Sequence, residues 1–267
     1  MFTRGEDGEV GEEYLRDGCI IREVADSAAH EWIVVTTAQI AAKHSDSQQP
    51  ATLTNSVTFL NSVHTLVSSR ELNEFRLKVI QELNSLPELR PAYYSLAKPF
   101  LEEIVGNELA MQQRVNLSIQ LPGDSSSLLA VHADTWSGDS PYEVVVWLPL
   151  VDCYATKSMY LLPPEHAAEF DRSFKDRAGK SSETLFEAIR DKVRWLEISC
   201  GQVMVFDQSL PHGNRVNDEA DTRWSMNCRF KGVFTPYGDK KLGEFFEPIS
   251  LRPASRRGMS YELPRAR

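Results

Sequence analysis

Hydrophobic residues change their spacing along the chain near residue 110. In residues 68–83, apolar side chains recur every three or four positions, as on one face of a helix. Ser68 and Glu71 at the start of this segment have the spacing of a capping box, in which each satisfies a free backbone donor of the other. Apolar and polar residues are similarly mixed in 25–42, and a short helix is expected at 99–105. The chain up to residue 110 is therefore predicted to be mainly helical.

Beyond residue 110, short segments alternate apolar and polar residues, which is typical of half-buried strands. Segment 115–120 is a clear case, with Val, Leu and Ile at every second position. Strands are predicted at 115–120, 127–133, 142–151, 158–162, 194–199, 202–206 and 224–234, and helices at 165–170 and 182–193. This order predicts a mainly β fold with flanking helices, in which N-terminal helices buttress a jelly-roll core, the cupin-like double-stranded β-helix.

The chain of 267 residues has the length of one large domain, because all-β barrels of this size commonly stay undivided. We expect a single domain over residues 1–267. Its mainly helical part would be 1–110, its jelly-roll core with the functional site 111–235, and an irregular C-terminal extension 236–267.

Charge and composition limit the partners. The 29 basic and 38 acidic residues give a net charge of −9, whereas nucleic acids and anionic membranes attract cationic proteins. The apolar segment 144–151 is far shorter than the roughly 20 residues that span a bilayer.

The charged start, Met1 to Asp7, does not resemble a signal peptide, and the four scattered cysteines suit reduced thiols. We expect a cytoplasmic protein with a small-molecule substrate and no nucleic-acid or membrane partner. The oligomeric state is left open, a homodimer included.

A His-x-Asp pair is the first candidate for chemistry. On a strand, side chains two positions apart face the same way, so His132 and Asp134 could reach one point and hold a metal. A hydrogen-bonded pair in a solvated turn would look the same in the sequence.

A third potential ligand, His212, follows a strongly apolar predicted strand. Two histidines and one carboxylate would occupy one face of an octahedral metal, which is the facial triad of non-haem Fe(II) oxygenases. Zinc would normally need a closed tetrahedral set or a third His or Cys, and no suitable motif occurs. By itself, His212 could equally be an ordinary loop histidine.

Arg223 and Ser225 begin another alternating strand and would also point the same way. A guanidinium and a hydroxyl could hold the far carboxylate of a dicarboxylate through charged hydrogen bonds. The 2-oxo acid end of such a molecule would then fill two of the open metal positions, with the last available to O₂.

In this order, His132-x-Asp134, His212 and Arg223-x-Ser225 resemble the Fe(II)/2-oxoglutarate-dependent oxygenases, and within them the phytanoyl-CoA dioxygenase-like branch. The resemblance spans residues 110–235, and residues 14–21 resemble the opening strand of that branch. Residues 159–166 resemble a family segment that ends in Pro-Gly-x-His, with Pro164 in place of the glycine. The sequences of segments 116–124 and 132–141 are similar to those of oxygenases from bacterial carbohydrate and secondary-metabolite gene clusters.

The resemblance implies a dioxygenase that uses Fe(II), 2-oxoglutarate and O₂ and releases succinate and CO₂. The implied reaction is hydroxylation or desaturation of a small molecule, such as a carbohydrate-derived or secondary metabolite. Halogenation is disfavoured, because related halogenases lack a carboxylate at the position of Asp134. His132, Asp134 and His212 would bind the metal, and Arg223 and Ser225 would anchor 2-oxoglutarate.

Further contacts are expected around this site. The resemblance places Trp147 beside 2-oxoglutarate, and Asn214 could contact the same molecule. The candidate substrate contacts are Trp136, Asp139, Arg114 and Arg215, with Tyr142 and Asn217 also near the expected mouth of the barrel. Each could instead be a surface or packing residue.

Two other classes of protein remain compatible with the sequence. A metal-dependent isomerase or epimerase with a jelly-roll fold would share the three ligands but would not need Arg223 and Ser225. A non-catalytic jelly roll that binds carbohydrate or a protein would use the His and Asp side chains only for hydrogen bonds.

Overall fold

The computed structural model describes residues 8–173 and 181–264. The charged N-terminal residues 1–7 and the end of the predicted C-terminal extension, 265–267, lie outside the described residues. Within the described part, no helix has both the length and the hydropathy required to cross a membrane.

Five helices of the described chain precede the main strands, and three more are found later. They are α1 (Glu9–Asp17), α2 (Ser27–His44), α3 (Leu53–Ser62), α4 (Leu72–Asn84), α5 (Leu89–Ile104), α6 (Pro164–Arg172), α7 (Ser182–Glu187) and α8 (Pro253–Met259). The strands are β1 (Cys19–Glu23), β2 (Leu109–Gln112), β3 (Asn116–Gln120), β4 (Glu143–Pro149), β5 (Tyr160–Leu161), β6 (Arg194–Trp195), β7 (Gln202–Asp207), β8 (His212–Gly213), β9 (Arg223–Gly232) and β10 (Phe246–Ser250).

Two antiparallel sheets form the β part of the described structure. The larger has the order β1-β7-β4-β9-β2-β10, and β3 also pairs with β9. The smaller has the order β6-β5-β8. Strand β9 is ten residues long and is therefore able to pair with β4, β2 and β3 along its length. Side chains from β9 and from β8 line the same cavity, so the site lies between the two sheets.

The N-terminal helices cover one face of the larger sheet. Every residue of β4 is buried, and after Glu143 the strand is an unbroken apolar run, as expected where both faces of a strand are covered. Tyr93 of α5 donates a hydrogen bond to the Val146 carbonyl oxygen at 3.0 Å. The indole of Trp224 on β9 donates to the Leu60 carbonyl oxygen of α3 at 2.9 Å. These two bonds fix the helices at the back of the strands that carry the site.

Helices are longer than the sequence predicts in two places. Helix α5 runs through Pro99 rather than starting there, although proline removes one helical hydrogen bond. Its residues Tyr93, Leu96 and Leu101 are fully buried, so packing on the sheet compensates for that loss. Helix α1 covers the first half of segment 14–21, which was expected to be an opening strand, and β1 starts at Cys19. Helices hold 39% of the described residues and strands 22%, but the floor of the site is built on strands.

Three predictions about strands are wrong. Residues 127–133 form a loop with a single bridge at His132 and no strand. Strand β2 was not predicted and begins within the part expected to be helical; its four buried residues show no alternation that would indicate a strand. The C-terminal extension is also not irregular throughout, because β10 pairs with β2 and is followed by α8. Here long-range pairing, which local patterns do not record, decides the structure.

Candidate metal centre

One face of β9 forms the floor of the site. Arg223, Ser225, Asn227 and Arg229 are two residues apart in turn, so their side chains share one face, and all four line a cavity of about 190 Å³. Strand β3 pairs with this segment and places Gln120 opposite Arg223, Ser118 opposite Ser225 and Asn116 opposite Asn227. Only the first two β9 residues were expected from the sequence, although the same alternation extends to Asn227 and Arg229.

His132, Asp134 and His212 come together at one end of this cavity. Their potential ligand atoms all lie within 4.8 Å of one another. His132 and His212 are joined by two backbone hydrogen bonds, of 3.0 Å and 2.8 Å, which form a small antiparallel bridge. The backbone N–H of Asp134, at the start of a single 3₁₀ turn, donates to the Gln208 carbonyl oxygen at 3.0 Å. The predicted grouping is therefore present, but His132 lies on an isolated bridge and Asp134 on a turn rather than on the expected strand.

The hydrogen bonds of the two imidazoles fit a metal. Nδ1 of His132 lies 2.8 Å from the Ala130 carbonyl oxygen, and Nδ1 of His212 lies 2.8 Å from that of Leu210. Because a carbonyl oxygen only accepts, each Nδ1 carries the hydrogen and each Nε2 keeps its lone pair. Outer-shell carbonyls hold metal-binding histidines in this tautomer. His132 Nε2 lies 3.6 Å from Asp134 Oδ1.

Burial also favours the neutral form of His212. Desolvation, with a smaller effect from nearby His132, lowers the pKa of His212 to about 4. A neutral imidazole is the form that binds a metal, so this histidine is ready to act as a ligand near neutral pH. The two nitrogen donors and one carboxylate make a mixed set that suits a non-haem iron better than a closed structural zinc site.

Arg229 is a site residue that the sequence did not single out. Its Nη2 donates to Asp134 Oδ2 at 2.7 Å, and its Nε donates to Gln208 Oε1 at 3.0 Å. Nε also lies 3.4 Å from a carboxylate oxygen of Asp139. Arg229 therefore holds one oxygen of Asp134 and leaves the other, Oδ1, on the side of His132. A charged residue late in a strand reads as a surface position, which is why spacing alone did not reveal it.

Arg223 is a buried cation without an anionic partner among the described residues. Its guanidinium donates to the Ser158 carbonyl oxygen at 3.2 Å, to Gln120 Oε1 at 3.4 Å and to Ser225 Oγ at 3.3 Å. Its Nε has no hydrogen-bond partner, and only 2% of the residue is exposed. Desolvation lowers the pKa of Arg223 from its ordinary value. A buried and unpaired charge is costly, so this arrangement calls for an anion in the cavity.

Trp147 and Asn214 both line the cavity, in different ways. Trp147 is buried on β4, with its ring 5.7 Å from the Arg223 guanidinium carbon. Asn214 uses its amide on the loop before His132. Its Oδ1 accepts from the Leu129 N–H at 2.6 Å, and its Nδ2 donates to the Ser127 carbonyl oxygen at 3.4 Å. The structure thus gives Asn214 a loop-holding position beside the site.

The four residues expected to contact a substrate do not line this cavity. Arg114 is exposed in the turn between β2 and β3. Trp136 stacks on Phe170 of α6, with ring centres 5.9 Å apart.

The other two are held by ion pairs. Asp139 is buried against Lys240 at 2.7 Å and faces Arg229. Arg215 is paired with Glu183 of α7 at 2.6 Å. Of the two further residues considered, Tyr142 is mostly exposed, and Asn217 is buried in hydrogen bonds with its own loop and with β3. The positions of these side chains depend on the course of their loops and on the ion pairs that they form. Neither can be read from the spacing of residues along the sequence.

Comparisons with known proteins give a match in structure alone. No family model matches the chain, and no curated protein matches it. Among solved structures, EctD from S. alaskensis in its apo form has a TM-score of 0.57 at 16% identity, covering 92% of this chain and 86% of that one. HygX from Streptomyces hygroscopicus, solved with nickel and 2-oxoglutarate, has a TM-score of 0.51 at 13% identity and 91% coverage of both chains.

SnoK, a non-heme alpha-ketoglutarate-dependent carbocyclase from nogalamycin biosynthesis, has a TM-score of 0.53 at 12% identity, covering 91% of this chain and 96% of that one. These similarities extend over nearly the whole of each chain. At such low identity they establish the fold, so the predicted jelly roll with flanking helices is confirmed.

Proposed function

We propose that this protein is a non-haem, Fe(II)- and 2-oxoglutarate-dependent dioxygenase that oxidises a small molecule. One observation carries the proposal: a buried, unpaired guanidinium, Arg223, lies in the same cavity as a cluster of two histidines and one carboxylate. The first calls for an anion and the second for a metal. 2-Oxoglutarate meets both requirements, because it is a dianion: one carboxylate can pair with Arg223, and its oxo acid end chelates iron.

The metal would be held by Nε2 of His132, Nε2 of His212 and Oδ1 of Asp134. The carbonyl oxygens of Ala130 and Leu210 keep each imidazole in the required tautomer, and Arg229 keeps Asp134 oriented. When bound, the iron and 2-oxoglutarate would supply an oxidation in which substrate–H, 2-oxoglutarate and O₂ give substrate–OH, succinate and CO₂. The task of the chain is to position these molecules and to limit access of water.

The far carboxylate of 2-oxoglutarate would take the place beside Arg223 and Ser225. The guanidinium would gain its missing anionic partner there, and the Ser225 hydroxyl would add a hydrogen bond. Trp147 lines the same cavity, with its ring 5.7 Å from the Arg223 guanidinium carbon, and would shield that ion pair from water. A metal-dependent isomerase with the same three ligands would have no use for this buried cation, so Arg223 favours the oxygenase over that alternative.

Hydroxylation or desaturation is the outcome we favour, because the third ligand is the carboxylate of Asp134. The structures of similar fold support a small-molecule substrate. HygX was solved with nickel and 2-oxoglutarate, EctD with 2-oxoglutarate and 5-hydroxyectoine, and SnoK is described as a carbocyclase. We extend this to a carbohydrate-derived or secondary metabolite as the class of substrate. All four cysteines lie in the described part as free thiols, which supports a reducing, cytoplasmic setting.

Anaerobic titration tests this proposal. Metal-free protein receives Fe(II) and then 2-oxoglutarate while the visible absorbance is followed. We expect a metal-to-ligand charge-transfer band that requires both additions and is absent from a His212→Ala variant. A folded wild-type protein that binds Fe(II) but gives no band with 2-oxoglutarate would contradict the assignment.

A further inference from the structure

A second, larger cavity adjoins the candidate metal centre. This groove has a volume of about 490 Å³ and lies between α4, β3 and the loop 126–129. It shares Asn116, Ser118, Leu129 and Asn227 with the metal cavity. A molecule in the groove would therefore reach the metal side past these four side chains. The volume is in the range of pockets that hold small molecules.

Neutral hydrogen-bonding groups dominate the polar lining of the groove. Besides Asn116, Ser118 and Asn227, these are Asn73 on α4, Ser69 just before α4, and Ser126 and Ser127 of the loop. Hydroxyl and amide side chains can both donate and accept, so they suit a ligand with several hydroxyl or amide groups. The apolar remainder, which includes Leu128 and Leu129, can cover a carbon face of such a ligand.

Arg76 is the charged residue among the described residues that line the groove. It is half-buried on α4, and its guanidinium donates to Asn73 Oδ1 at 2.9 Å. Within the described chain, no Asp or Glu lies within ion-pair distance of it, and none lines the groove. The protein has a net charge of −9, and yet this arginine has no acidic partner among the described residues. Such a group favours an anionic ligand and disfavours an amine.

The loop that closes the groove is held in place on both sides. The carboxylate of Asp124 accepts from the backbone N–H of Ser126 at 3.0 Å and from its hydroxyl at 2.7 Å. Further along, Asn214 binds Ser127 and Leu129, and it follows His212 by two residues. The wall between the groove and the metal side is thus preformed, which lowers the entropic cost of binding a ligand.

From these features we infer that the groove binds the main substrate, and that this substrate is a hydroxylated small molecule with an anionic group, a carboxylate or a phosphate, that Arg76 recognises. The inference rests on the proposed function for the identity of the reaction. It adds the class of substrate and its orientation, with the anionic end at α4 and the reacting end at the metal.

Calorimetric titration of the Fe(II)- and 2-oxoglutarate-loaded protein without O₂ tests the inference. The probes are D-glucuronate, D-glucose 6-phosphate, D-glucose and D-glucosamine, which share a ring and differ in charge. We expect at least one of the two anions to bind about tenfold more tightly than glucose, and glucosamine to bind most weakly. The stronger anion tells a carboxylate from a phosphate. Equal dissociation constants, a preference for glucosamine, or no saturable binding of either anion would overturn the inference.

Variants connect the preference to Arg76. In Arg76→Gln, the advantage of the anions should fall about tenfold while glucose binding stays the same, and Arg76→Lys should keep part of it. The matched control is Arg114→Gln, an exposed arginine outside both cavities, which should bind all four probes like the wild type. An equal loss in Arg114→Gln and Arg76→Gln would contradict a specific site.

The charge-transfer band in the same samples separates the two proposals. A band without any preference for anions would leave the oxygenase proposal standing and overturn the inference. A preference that depends on Arg76, in protein that gives no band, would support the groove as an anion-selective site and overturn the proposed chemistry.

Discussion

The guanidinium of Arg229 donates a hydrogen bond to Asp134 Oδ2 at 2.7 Å, while the other oxygen of Asp134 lies 3.6 Å from His132 Nε2. Both side chains are largely buried, with 14% and 11% of their side-chain surfaces exposed. The contact leaves Asp134 with a single oxygen, Oδ1, to offer a metal, so it orients this ligand. Arg229 is itself fixed by Gln208 and Asp139, and the orientation is therefore not left to a flexible side chain.

Replacing Arg229 should weaken metal binding. We expect Arg229→Met to bind Fe(II) about 10- to 100-fold less tightly, because outer-shell partners of metal ligands contribute that much to affinity. Anaerobic calorimetry measures the dissociation constant. The control is Arg215→Met, which removes an arginine paired with Glu183 away from the cavity. Unchanged Fe(II) affinity in a folded Arg229→Met protein would show that the contact does not position the ligand.

Arg223 should act on 2-oxoglutarate and not on the metal. In Arg223→Gln, we expect the dissociation constant of 2-oxoglutarate to rise about 100-fold, because the charged partner of its far carboxylate is lost, while Fe(II) affinity stays within about twofold. Titration of the visible band against 2-oxoglutarate gives the first value and calorimetry the second. Arg223→Lys should recover part of the affinity. Loss of Fe(II) binding with unchanged 2-oxoglutarate affinity would reverse the assigned roles.

Asn214 should hold the loop before His132. Asn214→Ala removes the acceptor of the Leu129 N–H and the donor to the Ser127 carbonyl oxygen. We expect amide exchange in residues 127–131 to become about tenfold faster, since a net hydrogen bond contributes about 1 kcal/mol. Hydrogen exchange followed by mass spectrometry measures this. Asn217→Ala, in a different loop, should leave these residues unchanged, and the same acceleration in both variants would point to general destabilisation.

The buried His30 should make stability depend on pH. Burial on α2 lowers the pKa of His30 from its ordinary value of 6.5. Below that value the unfolded chain takes up a proton that the folded protein resists, so the free energy of unfolding falls as the pH drops from about 6.5 toward the folded-state pKa. The variant His30→Leu removes this contribution.

Urea unfolding at about pH 7 and about pH 5 tests this expectation. The decrease in unfolding free energy between these values should be smaller in His30→Leu than in the wild type, with both proteins free of metal so that the ligand histidines contribute equally. Parallel decreases would show that His30 does not titrate differently in the two states.

The sequence predicts the site where the two-residue alternation of a strand fixes the direction of the side chains. The period of two along β9 correctly aligned Arg223 with Ser225 and would equally have reached Asn227 and Arg229. His132 and Asp134 were correctly grouped with His212 although the expected strand is a loop. They are still close together because the backbone bridge between His132 and His212 holds the two segments side by side, as strand pairing would.

Other parts depend on contacts that no local pattern contains. Strands β2 and β10 pair with each other across more than a hundred residues, so neither is evident from its own sequence. Asp139 and Arg215 look like free charges at a barrel mouth, and only the fold reveals Lys240 and Glu183 as their partners. Arg76 belongs to a helix that reads as a simple packing element, and its place in the groove follows from how α4 lies on β3.

A crystal structure of the protein, prepared without O₂ with Fe(II) and 2-oxoglutarate, tests the proposed site most directly. We predict anomalous density for iron bound by His132, Asp134 and His212. The far carboxylate of 2-oxoglutarate should lie within hydrogen-bond distance of both Arg223 and Ser225. Iron bound elsewhere, or 2-oxoglutarate bound without contact to Arg223, would contradict the proposed iron and 2-oxoglutarate site.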